Sequence, residues 1–476
     1  MILLFVALVI AILAVLSLGL AGLATLEHKA VITNGHSAQL VQIVQSGIDA
    51  AAKAIDDPEH PDLLDNPHRF QSVEVVPAHL MPRDYGAGRF TIFSPRLEQD
   101  QVRSVRFGLT RESAKLSLEA ILAWEMESAG QGVRALEKLP NITPIVIDSI
   151  LDWLDADDVA RPQGAEVDYY KDQQKTYRPR NAVPITLEEL LFIRDVKRTM
   201  IYGEDYPLAF GARQSILRRK STLPDGSIDP FAPLPMEFDH SSLQTASDAS
   251  SWQFLLTPYS AEKIVAKTKV NEQLVGKVYL NESNLEFLES QLRQHQLDET
   301  SIQFVMLWRN TNGNIDDPLD LLDAEITANG GTMPSPFSCG TPAAFERFLR
   351  LLDEATTDYA IVIRGRINVN EAPRLVLETV PELTPQMVTR ILESRKTDAE
   401  TQRHAVWLLA EGIVDDATMR ILSRRLTTGG DVYRIQVAGF FEGKPMLQRA
   451  EAILDATVKP PKVVFYKDLS PLDIPE

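Results

Sequence analysis

The stretch ILLFVALVIAILAVLSLGLAGLATL, Ile2 to Leu26, is apolar without interruption, and the first charged side chain after it is Glu27. A hydrocarbon core about 30 Å thick takes roughly 20 apolar residues at 1.5 Å rise each, so the run is long enough to cross a bilayer as a helix. No Lys or Arg precedes it, it exceeds the apolar part of a cleaved secretory signal, and no small-residue cleavage site ends it. These features favour a retained anchor, with Ile2, Leu3, Phe5, Leu8, Leu13, Leu16 and Leu20 as its lipid-facing or helix-facing side chains.

Helical spacing outlasts the anchor. Leu40, Val41, Ile43, Val44, Ile48, Ala51, Ala52 and Ile55 recur near a 3.6-residue period, and Pro58 is the first proline. One helix from Met1 to about Ile55 is then roughly 80 Å long, half anchored and half carrying a soluble head. This plan resembles that of a type IV pilin or pseudopilin. The fold class it implies is α+β, with the long N-terminal helix packed on an antiparallel sheet.

All charge lies beyond Leu26, so the net charge of −18 belongs to the head, which repels nucleic acid and anionic lipid. Cys339 is the only cysteine, which excludes an internal disulfide, and the eight histidines form no zinc-binding pair. Nucleophile elbow, P-loop and dinucleotide fingerprints are all missing from the sequence.

After a proline-marked connector, Val73 to Val76, Arg89 to Phe93 and Val102 to Leu109 read as short strands bounded by prolines and glycines. From Glu112 the pattern turns helical and repeats. Lys115-Leu-Ser-Leu-Glu119, Lys277-Val-Tyr-Leu-Asn281 and Arg366-Ile-Asn-Val-Asn370 each set a basic residue before a short strand and a helix. The first and third copies share the hinges Leu139-Pro-Asn-Ile-Thr-Pro144 and Val380-Pro-Glu-Leu-Thr-Pro385, with Thr143 and Thr384 as N-caps; the second has Leu297-Asp-Glu-Thr-Ser301. Such hinged pairs imply small inserted domains of the sterile-alpha-motif or helix-hairpin-helix type. The divisions expected are 1–56 for the helix, 57–111 for the first strands, and 112–215 for a helical domain. An insertion over 216–360, a second helical domain over 361–426 and closing strands over 427–476 follow. Ser221 to Ser251 and Asn310 to Pro342 read as long loops, and the chain after Pro460 and Pro461 as an extended tail.

Helix-hairpin-helix units invite a DNA reading, but Pro381, Glu382 and Leu383 put a carboxylate where a phosphate would lie on a glycine-free hinge. Asp152, Asp155, Asp157 and Asp158, followed by Glu166 and Asp168, form the densest carboxylate cluster. Converging oxygens suit a hard cation such as calcium, although no glycine sits where an EF-hand loop needs one. A helix end followed by a solvated acidic turn explains the same spacing, and paired carboxylates are also the equipment of a hydrolase.

Five motifs keep the order of a known family. Arg106-Phe-Gly-Leu-Thr-Arg-Glu-Ser-Ala-Lys-Leu-Ser-Leu118, then Ile150-Leu-Asp-Trp-Leu-Asp-Ala-Asp-Asp158 with Asp168-Tyr-Tyr170, resemble the K-type minor pseudopilin of the type II secretion system. Leu187-Glu-Glu-Leu-Leu-Phe-Ile-Arg-Asp-Val196, Arg366-Ile-Asn-Val-Asn-Glu-Ala-Pro373 and Val432-Tyr-Arg-Ile435 extend the resemblance over roughly 1–215 and 360–476. It implies a non-enzymatic subunit of the inner membrane with its head in the periplasm. It also implies a place at the tip of the pseudopilus, with I-type and J-type minor pseudopilins as partners and other pseudopilins met through the N-terminal helix. It further implies calcium at Asp155, Asp157, Glu166 and Asp168. The family carries a short basic leader ending in glycine before the apolar run, and most pseudopilins have glutamate where Phe5 stands if Met1 is the mature end; the K type often lacks it. The competing readings are a membrane-anchored DNA-uptake receptor, a minor pilin of a type IV pilus, and an anchored enzyme using the Asp152 to Asp168 carboxylates.

Overall fold

The computed structural model describes residues 2–57, 62–81, 86–98, 101–203, 217–219, 236–238, 251–270, 273–328, 331–395, 400–442 and 447–469. Helix α1 runs without a break from Ile2 to Ile55. Among its described side chains, Ile2, Leu13, Leu16 and Leu20 are exposed. The side chains of Leu3, Phe5 and Leu8 lie outside the described set. Burial begins at His36 and then follows the helical period through Leu40, Ile43, Val44, Ile48, Ala51 and Ala54.

That buried stripe lies on an antiparallel sheet. Its strands are β1 (Val73–Val76), β2 (Gly88–Glu98), β3 (Gln101–Arg106), β4 (Thr110–Arg111), β5 (Val432–Phe441), β6 (Leu447–Asp455) and β7 (Lys462–Asp468). The path is β1-β2-β5-β6-β7, with β3 paired to β2 and β4 to β5. Two glycines set the helix-to-sheet distance: a Cβ on Gly47 would stand 2.6 Å from Val437 Cγ1, and one on Gly439 would stand 2.9 Å from Val44 Cγ2. This core, with Phe90, Ile92, Phe93, Ile435 and Val437, is separate from that of the helical body.

Several readings from sequence change. Proline 95 does not end a strand but sits inside β2. There β2 pairs with β3 alone, since its pairing with β5 stops at Phe93, and a missing N–H on one side is tolerated. The supposed tail forms β7, paired antiparallel to β6 with a register shift between Ile453 and Leu454. The strip 310–342 contains an antiparallel hairpin, Glu325–Ala328 with Gly331–Pro334. Residues 221–235 and 239–250 of the expected linker lie outside the described residues.

The helical body leaves the sheet at Arg111 and returns at Val432. Because Arg111 pairs with Tyr433 and Thr110 with Arg434, its two ends are neighbours, the condition under which a large insertion leaves a sheet intact. Each repeat opens on a two-residue strand that pairs in parallel with a distant one. Leu116–Ser117 pairs with Leu256–Thr257, Val278–Tyr279 with Ala355–Thr356, and Ile367–Asn368 with Leu426–Thr427. These clasps close three units. The second unit is itself bracketed by Ala261–Lys263 running antiparallel to Val362–Arg364.

The hinges agree in detail. Thr143, Asp298 and Thr384 each accept a hydrogen bond from the N–H three residues on, at Val146, Ser301 and Met387. Two residues before each cap stands a left-handed backbone, Asn141 at φ 58°, Gln296 at 59° and Glu382 at 77°. Body and sheet are joined by a buried ionic knot. Glu112 Oε1 accepts from Lys115 Nζ at 3.0 Å and from Arg434 Nε at 2.8 Å, and Oε2 accepts from Thr257 Oγ1. Burial opposes its charge, but Arg434 and Lys115 prevail and hold the carboxyl down to about 2.

Candidate functional site

The acidic cluster is built on two helices of the first unit. Helix α2 (Leu118–Glu127) and α3 (Gln131–Leu136) precede α4 (Pro144–Leu154), which starts at the Thr143 cap and buries Val146, Ile147, Ile150, Leu151 and Leu154. Its last turn delivers Asp152 and Asp155 into the loop that leads to α5 (Val167–Asp172), whose N-cap is Glu166. The loop folds back on Asp152. This carboxylate, fully buried, accepts the Arg161 N–H at 3.2 Å on Oδ1, and a Cβ on Gly164 would lie 1.8 Å from its Oδ2. Only glycine lets the backbone pass so close.

Arg161 is the local counter-charge, 3.3 Å from Glu125, 3.7 Å from Asp152 and 4.0 Å from Asp155. It does not neutralise the cluster. Glu166 is 4% exposed, and neither of its oxygens has a hydrogen-bond partner; Asp155 Oδ1 is buried and likewise bare. Burial, then the charges of Asp152, Asp155 and Asp158, push the Glu166 carboxyl up to about 7. Burial, then Asp157 and Asp152, push Asp155 up to about 6. Such bare, mutually repelling carboxylates are costly unless something positive completes the site.

Of the four residues proposed from sequence, Asp155 and Glu166 are brought into one electrostatic cluster, and Asp157 joins it through Asp155. Asp157 is exposed, with Oδ1 accepting the Val159 N–H at 2.8 Å. Asp168 lies exposed in the first turn of α5, and Asp152 and Asp158 are the further charges that act on Glu166. The donors available are all carboxylate oxygens, the chemistry of a hard cation. Among the described residues no three His, Cys, Asp or Glu side chains already stand as a metal cage, so a cation would have to draw them together. The bare atoms of Glu166 and Asp155 fit such an ion. The role of Gly164 is written in the sequence as a lone glycine ten residues after Leu154; its contact with Asp152 is not.

Beneath the loop an aromatic ladder supports it. Trp153 and Tyr170 are 5.8 Å apart, Tyr170 and Tyr177 5.6 Å, and Tyr177 and half-exposed Phe192 5.0 Å.

The fold and site together define a pilin-like protein with one candidate membrane-spanning helix at its N-terminus and an acidic loop in its head. Residues 125–202, which contain the acidic loop, match the family described as Type II secretion system (T2SS), protein K, in agreement with the resemblance carried by the sequence motifs. No curated protein matches the chain. Among solved structures it is similar to a chain of the GspK-GspI-GspJ complex from the enterotoxigenic Escherichia coli Type 2 Secretion System. That match has 10% identity and a TM-score of 0.43, and covers 92% of this chain and 98% of that one.

Proposed function

We propose that the chain is a K-type minor pseudopilin, a non-enzymatic subunit at the tip of a type II secretion pseudopilus. The observation that supports this most is the protein K match on residues 125–202, which falls on a helical unit inserted between adjacent strands of a pilin-like sheet. Helix α1 anchors the subunit in the inner membrane and later packs in the fibre, with the head in the periplasm. A head of some 420 residues has a radius of gyration of about 22 Å, too wide to repeat beside every subunit of a tight helical fibre, and it meets no obstruction at the end. I-type and J-type minor pseudopilins are the partners, and fibre initiation or capping is the task. Calcium, held by Asp155 and Glu166 with help from Asp157 or Asp158, would supply fixed positive charge and tie the loop to the last turn of α4.

The test is co-expression of the full chain with I-type and J-type minor pseudopilins, followed by purification in detergent with and without EGTA. A stoichiometric heteromer is expected. A full chain that elutes alone under both conditions sinks the tip-subunit reading.

A further inference from the structure

A cleft of about 1590 Å³ opens where the clasped units meet the sheet. Ile264, Leu352, Val362 and Phe254 give it apolar wall, while β5 contributes Arg434 and Gln436. Its volume exceeds the range of roughly 300–1,000 Å³ usual for small-ligand sites and has room for several peptide residues. Nine Lys and Arg line it against seven Asp and Glu, in a chain whose totals are 48 against 66. The sign of local charge is reversed.

Most of these cations are neutralised in place: Arg434 by Glu112, Arg403 by Asp353, Arg366 by Asp358. Two half-buried ones, Lys277 and Arg395, have no carboxylate partner among the described residues. Lys277 Nζ donates to the Leu352 carbonyl at 2.6 Å. Arg395 donates Nε to the Val369 carbonyl at 2.8 Å and Nη2 to that of Ala372 at 2.7 Å, leaving Nη1 without a hydrogen bond among the described residues. Burial depresses both cations, Arg395 to about 10, with Glu371 acting against the shift. Beside Arg395, Glu371 Oε1 accepts from Arg111 and from Asn368 Nδ2, while its Oε2 has no partner among the described residues. Arg424 is exposed among the lining residues and makes no ion pair or hydrogen bond among the described residues.

The cleft therefore offers spare cationic donors, a spare carboxylate acceptor and apolar wall. A plain anion would use the first and leave the other two idle. We propose that the cleft between the helical units and the sheet is a binding site for an extended acidic peptide segment. Its carboxylates meet Arg395, Lys277 and Arg424, its N–H groups face Glu371, and its aliphatic side chains lie on Ile264, Leu352 and Val362. The inference stands apart from the secretion reading, because the contacts it names lie on the helical units and not on the strands of the pilin-like sheet.

The test is fluorescence anisotropy on the detergent-solubilised full chain, with a fluorescein-labelled hexapeptide of alternating Leu and Glu and a Leu and Lys counterpart. The acidic peptide is expected to bind and the basic one not. Arg424→Glu, at an exposed position, should weaken binding about 5-fold or more, and Arg395→Gln about 10-fold or more, as loss of charge-assisted hydrogen bonds requires. Thermal denaturation shows whether Arg395→Gln remains folded; Arg424→Glu carries the test if it does not. Equal binding of both peptides, binding of neither, or binding indifferent to Arg424→Glu overturns the proposal. Inorganic phosphate that occupies the folded protein while the acidic peptide does not bind would reduce the cleft to an anion hole and also overturn it.

Discussion

Consider Glu166→Gln, a change that deletes a carboxylate from the acidic loop. Glu166 moves from an ordinary 4.5 to about 7 in the fold, so its proton is held more tightly in the native than in the unfolded chain. A raised carboxyl pKa gives stability that is complete below the unfolded value and is lost as pH climbs through the window from about 4.5 to about 7. At 1.36 kcal/mol per unit the loss is about 3 kcal/mol for this group. Asp155, pushed up to about 6 by burial and by Asp157 and Asp152, loses stability in the same direction as pH rises. The calcium ion proposed for this loop would replace the missing proton at neutral pH.

The assay is calorimetry of the detergent-solubilised full chain at pH 5.0 and 7.5, in EGTA or calcium. A change of 3 kcal/mol corresponds to roughly 6–12 °C for a domain of 150–250 residues. In EGTA the transition of the first helical unit should fall by about that much between pH 5.0 and 7.5, and calcium should restore it at pH 7.5 only. Glu166→Gln, neutral at both pH values, should raise the transition in EGTA at pH 7.5 and blunt the response to calcium. Identical EGTA transitions at the two pH values, or a variant less stable than the parent in EGTA at pH 7.5, would refute the reasoning.

Three further perturbations follow from other parts of the molecule. Gly164→Ala forces a Cβ into Asp152, breaks its bond to the Arg161 N–H, and should cost about 2–4 kcal/mol in urea melts while weakening the calcium response. Glu112→Ala leaves Lys115 and Arg434 in the buried knot without their shared partner; a loss of about 3–5 kcal/mol is expected in the denaturant midpoint, and the parent knot should keep its charge down to about pH 3. Gly47→Leu drives side-chain atoms into Val437 and Phe90, so it should lower the melting temperature of the sheet while leaving calcium binding by the loop unchanged.

Much of the pilin-like half was legible because its signals are long. A twenty-five-residue uncharged run and a 3.6-residue stripe have few alternative readings, and β1 and β5 carry β-branched residues, with aromatics in β5, between clear turn signals. The end of β7 was misread since Pro460 and Pro461 stand just before it; two prolines mark where a strand starts as well as where order stops. In the acidic loop the carboxylates could be seen but not sorted. Which of them face inward depends on the way residues 155–166 fold back on Asp152, and no local period records that path.

The clasps were half legible, and the missing half is instructive. Each opening strand was found because a helix follows it, whereas each closing strand is two residues long, lies 59 to 140 positions from its partner and carries no period of its own. Yet the three closing strands share a device. Thr257, Thr356 and Thr427 stand opposite Ser117, Tyr279 and Asn368, and each threonine Oγ1 accepts the N–H two residues on, at Tyr259, Asp358 and Gly429. The turn ends the clasp in the same way three times. The hinges repeat just as closely, with a left-handed residue two places before each cap, filled by Asn141, Gln296 and Glu382 where a phosphate-binding hairpin would use glycine. A left-handed L-residue costs about 1–2 kcal/mol, so three such positions persist only because each unit is closed and packed around its hinge. In the third unit the residue at that point is a carboxylate, which repels the ligand that a glycine-rich hairpin would welcome. The three units therefore keep one hinge conformation and one clasp while the side chains at the hinge differ.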